Sequence, residues 1–599
     1  MKSKNVCNFV KISKILMYIL LHVFYMIFFV FHVESAEVAA NRVDADKIDR
    51  VNKAEELKDK VDNIIKKQED FLNQEIKIEE ERIDNVYLDE NCMDVKKINI
   101  NGNTVLSNKK INSVVNKYVN TCVDIKVVNN IVLDFYDLMR NEGYIYNKIN
   151  INYEKSSVKK GILVFDFEEA IVENLIYVKK NNNASVEKNV EKKLKLLTSF
   201  PSMVNEVLNI NDIEDGIKKI NRLKYLKVKY IISPGDKINY YVVSIVETDI
   251  KANIRLNITE DNDGGSSTNY FRTIFVMGVD DSLSLNDYMR FRVEKDTNFL
   301  DDKFRSNYEF SYYIAVPIRN VMFSYYVSSS YFFNNKNKDE NFKADLYNDI
   351  SNSLSLEFNV LKNKYYEFAF RVDVNYDINN TYSVYMDEKQ FEDRVDFSNM
   401  LISLPTQIYT KWGVVFLQPT IYKGLKLFNS LNDEFSDSNN KAQFIAYKFY
   451  AFYNNDFILK DKILNYSIVF DSQYTKDFLY SRDSFYIGDL YTVRGFKYYG
   501  RAGDGGFLIR NQTKMNLKDL LFLKSDYYKG YKFGIFYDYG YVYANTTPIK
   551  TGFLSGTGFI FDFMINKYID GNITYGIPIH GKDTWDFRPE IYFKISGQM

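Results

Sequence analysis

Histidine, cysteine and proline are all scarce in this 599-residue chain, and each scarcity closes off a class of function. Of its 3 histidines, His22 and His32 sit in an N-terminal apolar run, which leaves His580 alone in an exported, processed chain. Histidine-centred triads and His-rich metal sites need more than that, so no metal, no cofactor and no catalytic residue is expected. Only 8 prolines occur, which suits long hydrogen-bonded ladders, because each proline removes one backbone donor. Net charge is nearly absent: 78 Lys and Arg against 79 Asp and Glu give -1, and no basic field marks nucleic acid as a partner. No Gly-x-x-x-x-Gly-Lys-Ser/Thr run occurs, which removes the phosphate cradle of a nucleotide-driven machine.

Aromatic residues are plentiful instead, with 49 Tyr and 46 Phe spread along the chain and no second long apolar run. The first such run, Ile15 to Val33, follows Lys2, Lys4, Lys11 and Lys14 and reads as a signal peptide over residues 1–36. Either Val33-Glu34-Ser35 or Val38-Ala39-Ala40 presents a small-residue cleavage pattern, and the alternative is an uncleaved inner-membrane anchor, since the run is long enough to span. Cys7 leaves with the signal. Cys92 and Cys122 remain, an even pair that reads as one disulfide in an oxidising compartment or as two separate buried thiols.

Residues 37–91 begin with a stretch dense in Lys, Glu and Asp, where Val51, Leu57, Val61, Ile64 and Phe71 form a thin apolar stripe. This reads as a charged helix, for which a solvated linker or coiled-coil segment is the plain reading. From Cys92 the pattern becomes a strand to Ile100, a turn at Asn101-Gly102-Asn103, helices over 107–118 and 125–141, a turn at Gly143 and two strands. Such an α+β unit over 92–171 leaves a sheet edge free to pair. A second unit over 172–248 repeats the order, with helices near 186–197 and 210–222, the latter capped by Asn211 or Asp212.

Over residues 249–599 the apolar period is two. Leu464, Tyr466, Ile468 and Phe470 alternate with Asn465, Ser467 and Asp471, and Phe368, Phe370, Val372 and Val374 alternate with Ala369, Arg371, Asp373 and Asn375. Alternation sustained this far in an exported chain favours a transmembrane antiparallel β-barrel over a soluble sandwich. Polar stretches at 334–341, 382–396 and 431–441 read as surface loops. The chain ends Ser596-Gly597-Gln598-Met599 where such barrels usually end in an aromatic residue, although Met599 keeps register with Ile591, Phe593 and Ile595.

Within that barrel, Phe533, Ile535, Tyr537, Tyr539 and Tyr541 fall on one face, and Gly534, Phe536, Asp538 and Gly540 on the other. Asp538 is therefore expected to point into the lumen. Upstream, Val493-Arg494-Gly495-Phe496 is followed by Gly506, Arg510 and Asn511. This pattern resembles the Val-Arg-Gly-Phe loop and Phe-x-Asp-x-Gly strand of outer-membrane transporters of two-partner secretion, the haemolysin-activator and filamentous-haemagglutinin transporter type (TpsB), within the outer-membrane assembly superfamily. Cys92, Gly102-Asn103, Cys122, Gly143-Tyr144 and Gly161 resemble the cysteine pair and glycines of its polypeptide-transport-associated (POTRA) domains.

The resemblance implies two POTRA domains in the periplasm, then roughly sixteen strands in the outer membrane of a Gram-negative-type bacterium. It implies a Cys92 to Cys122 disulfide, a charged helix within 37–91 that can plug the barrel lumen where it is not simply a linker, and a lumen latch between Arg494 and Asp538, with Phe496 as apolar anchor and Gly540 making room. Arg510 and Asn511 match the motif without an assigned role. The partners implied are a secreted exoprotein (adhesin or haemolysin) captured by its N-terminal secretion domain, the outer-membrane lipids and the barrel-assembly machinery. Folding of the exoprotein outside would supply the energy. The alternative within the superfamily is a barrel-assembly insertase, which two POTRA domains and a cysteine pair argue against. A passive porin leaves residues 92–247 unexplained, and a barrel enzyme has only His580 as a base.

Overall fold

The computed structural model describes residues 93–598, apart from 158–159, 180–189, 202, 263–270, 297–306, 319–320, 336–342, 363–364, 386–387, 436–438, 460–461, 498, 522–529, 546–550 and 582–587. The signal segment, the charged stretch 37–91, Cys92 and Met599 lie outside the described residues.

The first unit runs β1 (Met93–Val95), β2 (Lys97–Asn101), α1 (Asn108–Val115), β3 (Thr121–Val123), α2 (Ile125–Asn141), β4 (Lys148–Ile151) and β5 (Ile162–Glu168). Its sheet has the order β2-β5-β4, and β1 pairs with β3 in a separate ribbon that the sequence pattern did not disclose. Helix α2 starts where the Asp124 carboxylate accepts from the Val127 amide at 2.8 Å. Its buried Ile131, Phe135 and Met139, spaced by four, form the stripe that meets Phe165, Phe167 and Ile149 of the sheet.

The second unit repeats the plan with β6 (Ile171–Val178), α3 (Val190–Ser199), α4 (Ile210–Asn221), β7 (Leu226–Pro234) and β8 (Tyr240–Ile250), in sheet order β6-β8-β7. Ile213, Gly216 and Ile220 face the core, and Phe200 lies flat over Gly216 where any side chain would collide with its ring. The cap of α4 is Asn209, whose side chain accepts from the Asn211 amide at 2.8 Å. Asn211 and Asp212, expected as caps, are already inside the helix, because the extended residue that offers its side chain to the free amides is Asn209.

The remaining chain closes into one antiparallel barrel. Its segments are β9 (Ile254–Asp261), β10 (Arg272–Asp280), β11 (Tyr288–Asp296), β12 (Asn307–Ile318), β13 (Val321–Asn335), β14 (Lys343–Lys362), β15 (Tyr366–Tyr385), β16 (Glu388–Ser403) and β17 (Thr406–Thr410). After them come β18 (Gly413–Leu425), β19 (Ile445–Leu459), β20 (Lys462–Thr475) and an inner hairpin, β21 (Phe485–Ile487) with β22 (Arg501–Gly503). The wall resumes with β23 (Gly505–Asn516), a short α5 (Leu517–Leu520), β24 (Tyr531–Tyr543), β25 (Gly552–Asn566), β26 (Ile569–His580) and β27 (Glu590–Gln598). Segments β16 and β17 share both neighbours, β15 and β18, and form one wall strand interrupted at Leu404-Pro405, so the barrel has sixteen strands. Pairing of β27 with β9 closes it.

Strands β14 and β15 are 20 residues long, about twice what a tilted strand needs to cross a bilayer. Residues 382–396, expected as a loop, are accordingly mostly strand, since β15 reaches Tyr385 and β16 begins at Glu388. Beyond the lipid both faces of a strand meet water, and polar composition there no longer marks a loop. The outer wall carries an aromatic run from Phe470 through Phe507 and Tyr539 to Phe553, with ring centroids 5.7 to 6.5 Å apart.

Candidate functional site

The site is the long connection between β20 and β23, which turns inward rather than standing out in solvent. Its stem is fixed first. Arg482 pairs with Asp377 of β15 and lies 4.7 Å from the centre of the Phe397 ring, while Asp483 accepts from the Tyr422 hydroxyl of β18. The Gln473 amide then donates to the carbonyls of Asp483 and Asp504, both at 2.9 Å, which draws the two ends of the loop together.

A turn at 489–492 follows the first strand of the inner hairpin. The Asp489 carboxylate accepts from the amides of Tyr491 and Thr492, each at 2.7 Å, and Arg510 donates to the carbonyls of Tyr491 at 2.7 Å and Leu490 at 3.1 Å. One acid thus satisfies the donors of this turn and one base its acceptors.

The turn delivers Arg494 to the wall. Its Nε meets Asp538 Oδ2 at 2.6 Å and a terminal nitrogen meets Oδ1 at 2.7 Å, in bidentate geometry, while its backbone amide adds a third bond to Oδ2 at 3.2 Å. The other terminal nitrogen donates to Gln512 Oε1 at 3.1 Å, and the guanidinium lies 3.7 Å from the centre of the Phe536 ring. Asp538 is 0% exposed and Arg494 2%. The pair is buried, and each partner would be left as an uncompensated buried charge if the other were removed.

The backbone at this point needs glycine on both sides. Gly495 has φ of 102°, a conformation closed to most side chains, and donates to the Tyr592 hydroxyl at 3.2 Å. A Cβ on Gly556 of β25 would sit 2.0 Å from the Arg494 carbonyl oxygen. Val493 and Phe496 are fully buried with Phe485, Ile487, Leu508, Val542 and Leu554, and a Cβ on Gly540 would press to 3.0 Å from Val493. Beyond the tip, Lys497 donates to the Asn262 carbonyl and Arg501 to that of Thr551.

Of the residues singled out from sequence, the structure gathers Val493, Arg494, Gly495, Phe496, Arg510, Asp538 and Gly540 in one place. Gly506 lies at the start of β23, its α-carbon against the Tyr541 carbonyl. Asn511 is elsewhere: it faces outward with Tyr537, bonding that residue's carbonyl at 2.9 Å and accepting from the Tyr466 hydroxyl at 3.3 Å. Cys122 is disulfide-bonded, and its expected partner, Cys92, lies outside the described residues. Sequence reading missed a second inward cluster. Arg272 holds Asp261 through two bonds of 2.9 Å and Glu294 at 2.8 Å, and Arg292 also meets Glu294 at 2.6 Å. The alternation of β9 to β11 places all four on the inner face, which a parity count alone would have flagged.

Residues 240–559, more than half of the chain, match the family model for the haemolysin secretion/activation proteins ShlB/FhaC/HecB. The chain belongs to that family. Residues 93–165 match the ShlB-type POTRA domain and 178–234 a further POTRA model. It is 21% identical over 498 residues to the outer membrane transporter CdiB of Dickeya dadantii, covering 82% of this chain and 83% of that one. It is also 21% identical over 439 residues to the hemolysin transporter protein HpmB of Proteus mirabilis, covering 70% and 72%. The solved structure of CdiB from Escherichia coli superposes with a TM-score of 0.78 at 19% identity, over 93% of this chain and 99% of that one, and shows the same fold. The chain is thus a transporter-family barrel of the outer membrane with its two POTRA domains on the periplasmic side.

Proposed function

We propose that this protein secretes one large exoprotein, an adhesin or haemolysin, by two-partner secretion, and that Arg494 and Asp538 form the latch that holds the pore loop shut. The observation that carries the reading is the buried, bidentate pair between a loop and a wall strand. A loop needed only for surface display would have no reason to bury a charge inside the lumen.

Capture falls to the POTRA domains. In the first, β2 pairs only with β5 among the described residues and is an edge of its sheet. Beside it, a cleft of about 580 Å³ runs between β2 and α1, lined by Ile98, Ile100, Ile111, Asn112 and Val115. An extended segment of the exoprotein's N-terminal secretion domain adds to that edge and sets alternate side chains in the cleft. The charged segment 37–84 is proposed either to plug the wet lumen or to serve as a linker, the barrel-assembly machinery inserts the barrel, and no enzymatic step is involved.

The test is secretion of the partner exoprotein, and a large repetitive exoprotein encoded beside this chain is the candidate to look for first. Deleting residues 92–247 abolishes its appearance outside the cell while a heat-modifiable barrel persists, and unchanged secretion overturns the capture role. Deleting residues 37–84 raises single-channel conductance, and equal conductance assigns that segment to a linker.

A further inference from the structure

Turn 281–287, which joins β10 to β11, is buried against the second POTRA domain. Asp281, Ser284 and Asn286 have φ of 57°, 57° and 55°, three left-handed residues in one short connection. Asp287 holds that shape from within, accepting from the amides of Leu283 at 3.0 Å, Ser282 at 3.1 Å and Leu285 at 3.3 Å. The turn is therefore preorganised, and its remaining polar groups are aimed outward, at the POTRA domain.

Asn286 is 0% exposed. Its amide nitrogen lies 2.8 Å from each of three acceptors at the end of α3: the Lys195 carbonyl, the Thr198 hydroxyl and the Ser199 hydroxyl. Its backbone carbonyl accepts from Arg222, after α4, at 2.7 Å. Asp281 takes the Lys195 ammonium at 2.5 Å and the Tyr225 hydroxyl at 2.7 Å, and the Tyr225 amide donates to Asp280 at 3.0 Å. Burial, then the charge of Asp281, pushes the Tyr225 phenol up, so it remains a protonated donor. Apolar packing completes the joint, with Leu194 against the cluster of Leu285, Met289 and Tyr312.

We infer that Asn286 and Lys195 are positioning residues that fix the second POTRA domain in a single orientation at the rim of the barrel, so that a captured chain reaches the lumen by one defined path. A hinge at this place would expose few buried partners when it swings. Here a swing strips both helices and the turn of their bonds at once, and each buried group left unpaired opposes it. The delivery role rests on the secretion reading above, whereas the fixed joint does not.

Asn286→Gly keeps the left-handed backbone and removes only the amide, and Lys195→Met removes the partner of Asp281 from the other side. Spin labels at exposed Lys229 on β7 and exposed Lys411 in another rim turn, in the full chain reconstituted in lipid, report the orientation by double electron–electron resonance. The unsubstituted protein gives one narrow distance. Both variants, chosen as heat-modifiable barrels, broaden it and lower secretion by about tenfold, the scale of one lost buried hydrogen bond. A broad distribution in the unsubstituted protein, or a narrow one in both variants, overturns the fixed joint. Broadening with undiminished secretion overturns the delivery role alone.

Discussion

Arg510 and Asp538 stand opposite each other in the ladder of β23 and β24, yet Arg510 spends its donors on the carbonyls of Leu490 and Tyr491. The carboxylate is left to Arg494, which arrives from the loop. Two guanidinium groups thus flank one acid, and the nearer in register builds the turn that brings in the other.

Truncating either member of the latch strands a buried charge, at a cost of about 3 to 5 kcal/mol. Arg494→Ala and Asp538→Ala each cut secretion severely, with barrel assembly on denaturing gels unchanged. The double variant does no worse than either single one, because the two act as one unit. Additive losses in that cycle show two independent residues and remove the latch.

Arg510→Met deletes two charge-assisted bonds to the turn, each worth about 1.5 to 3 kcal/mol. The expected outcome is cleavage near residues 489–492 by added protease at rates the parent protein resists. Arg510→Lys rescues little, since a point charge cannot reach two successive carbonyls as a planar fork does. Equal protease resistance in all three proteins contradicts the role given to Arg510.

Gly556→Ala places a methyl group 2.0 Å from the Arg494 carbonyl oxygen and forces the loop off β25 at a cost of about 1 to 3 kcal/mol. Planar-bilayer recordings then show larger or longer openings than the parent protein, although neither latch residue is altered. Unchanged recordings mean that the loop tip does not close the pore.

The bonded Cys122 is expected to have Cys92 as its partner. Peptide mass spectrometry without reduction recovers the linked fragments from envelope protein. Free alkylation of both thiols there rules the pairing out.

Parity made much of this legible in the sequence. Asp538 is inward because it alternates with Tyr537 and Tyr539, a rule that depends only on strand geometry. The role of Arg510 was not legible, since its partners are backbone carbonyls of a loop and carry no residue signature. Within 382–396, expected as a loop, residues 382–385 and 388–396 are strand, because polarity marks contact with water, which a protruding strand shares. The Asn286 joint was equally hidden. Its acceptors lie 87 to 91 positions earlier in the chain, beyond the reach of any local pattern.

The inward loop grips the wall at Asp377 on β15 and again at Asp538 on β24, far apart in the circuit of strands. Mechanically it is a chord across a hoop. A hoop so braced resists ovalisation along the chord, and cutting either end frees the whole circumference to deform. If the loop closes the bore as proposed, widening of the passage is coupled to clearing it, because the same segment is the strut that keeps the cylinder round.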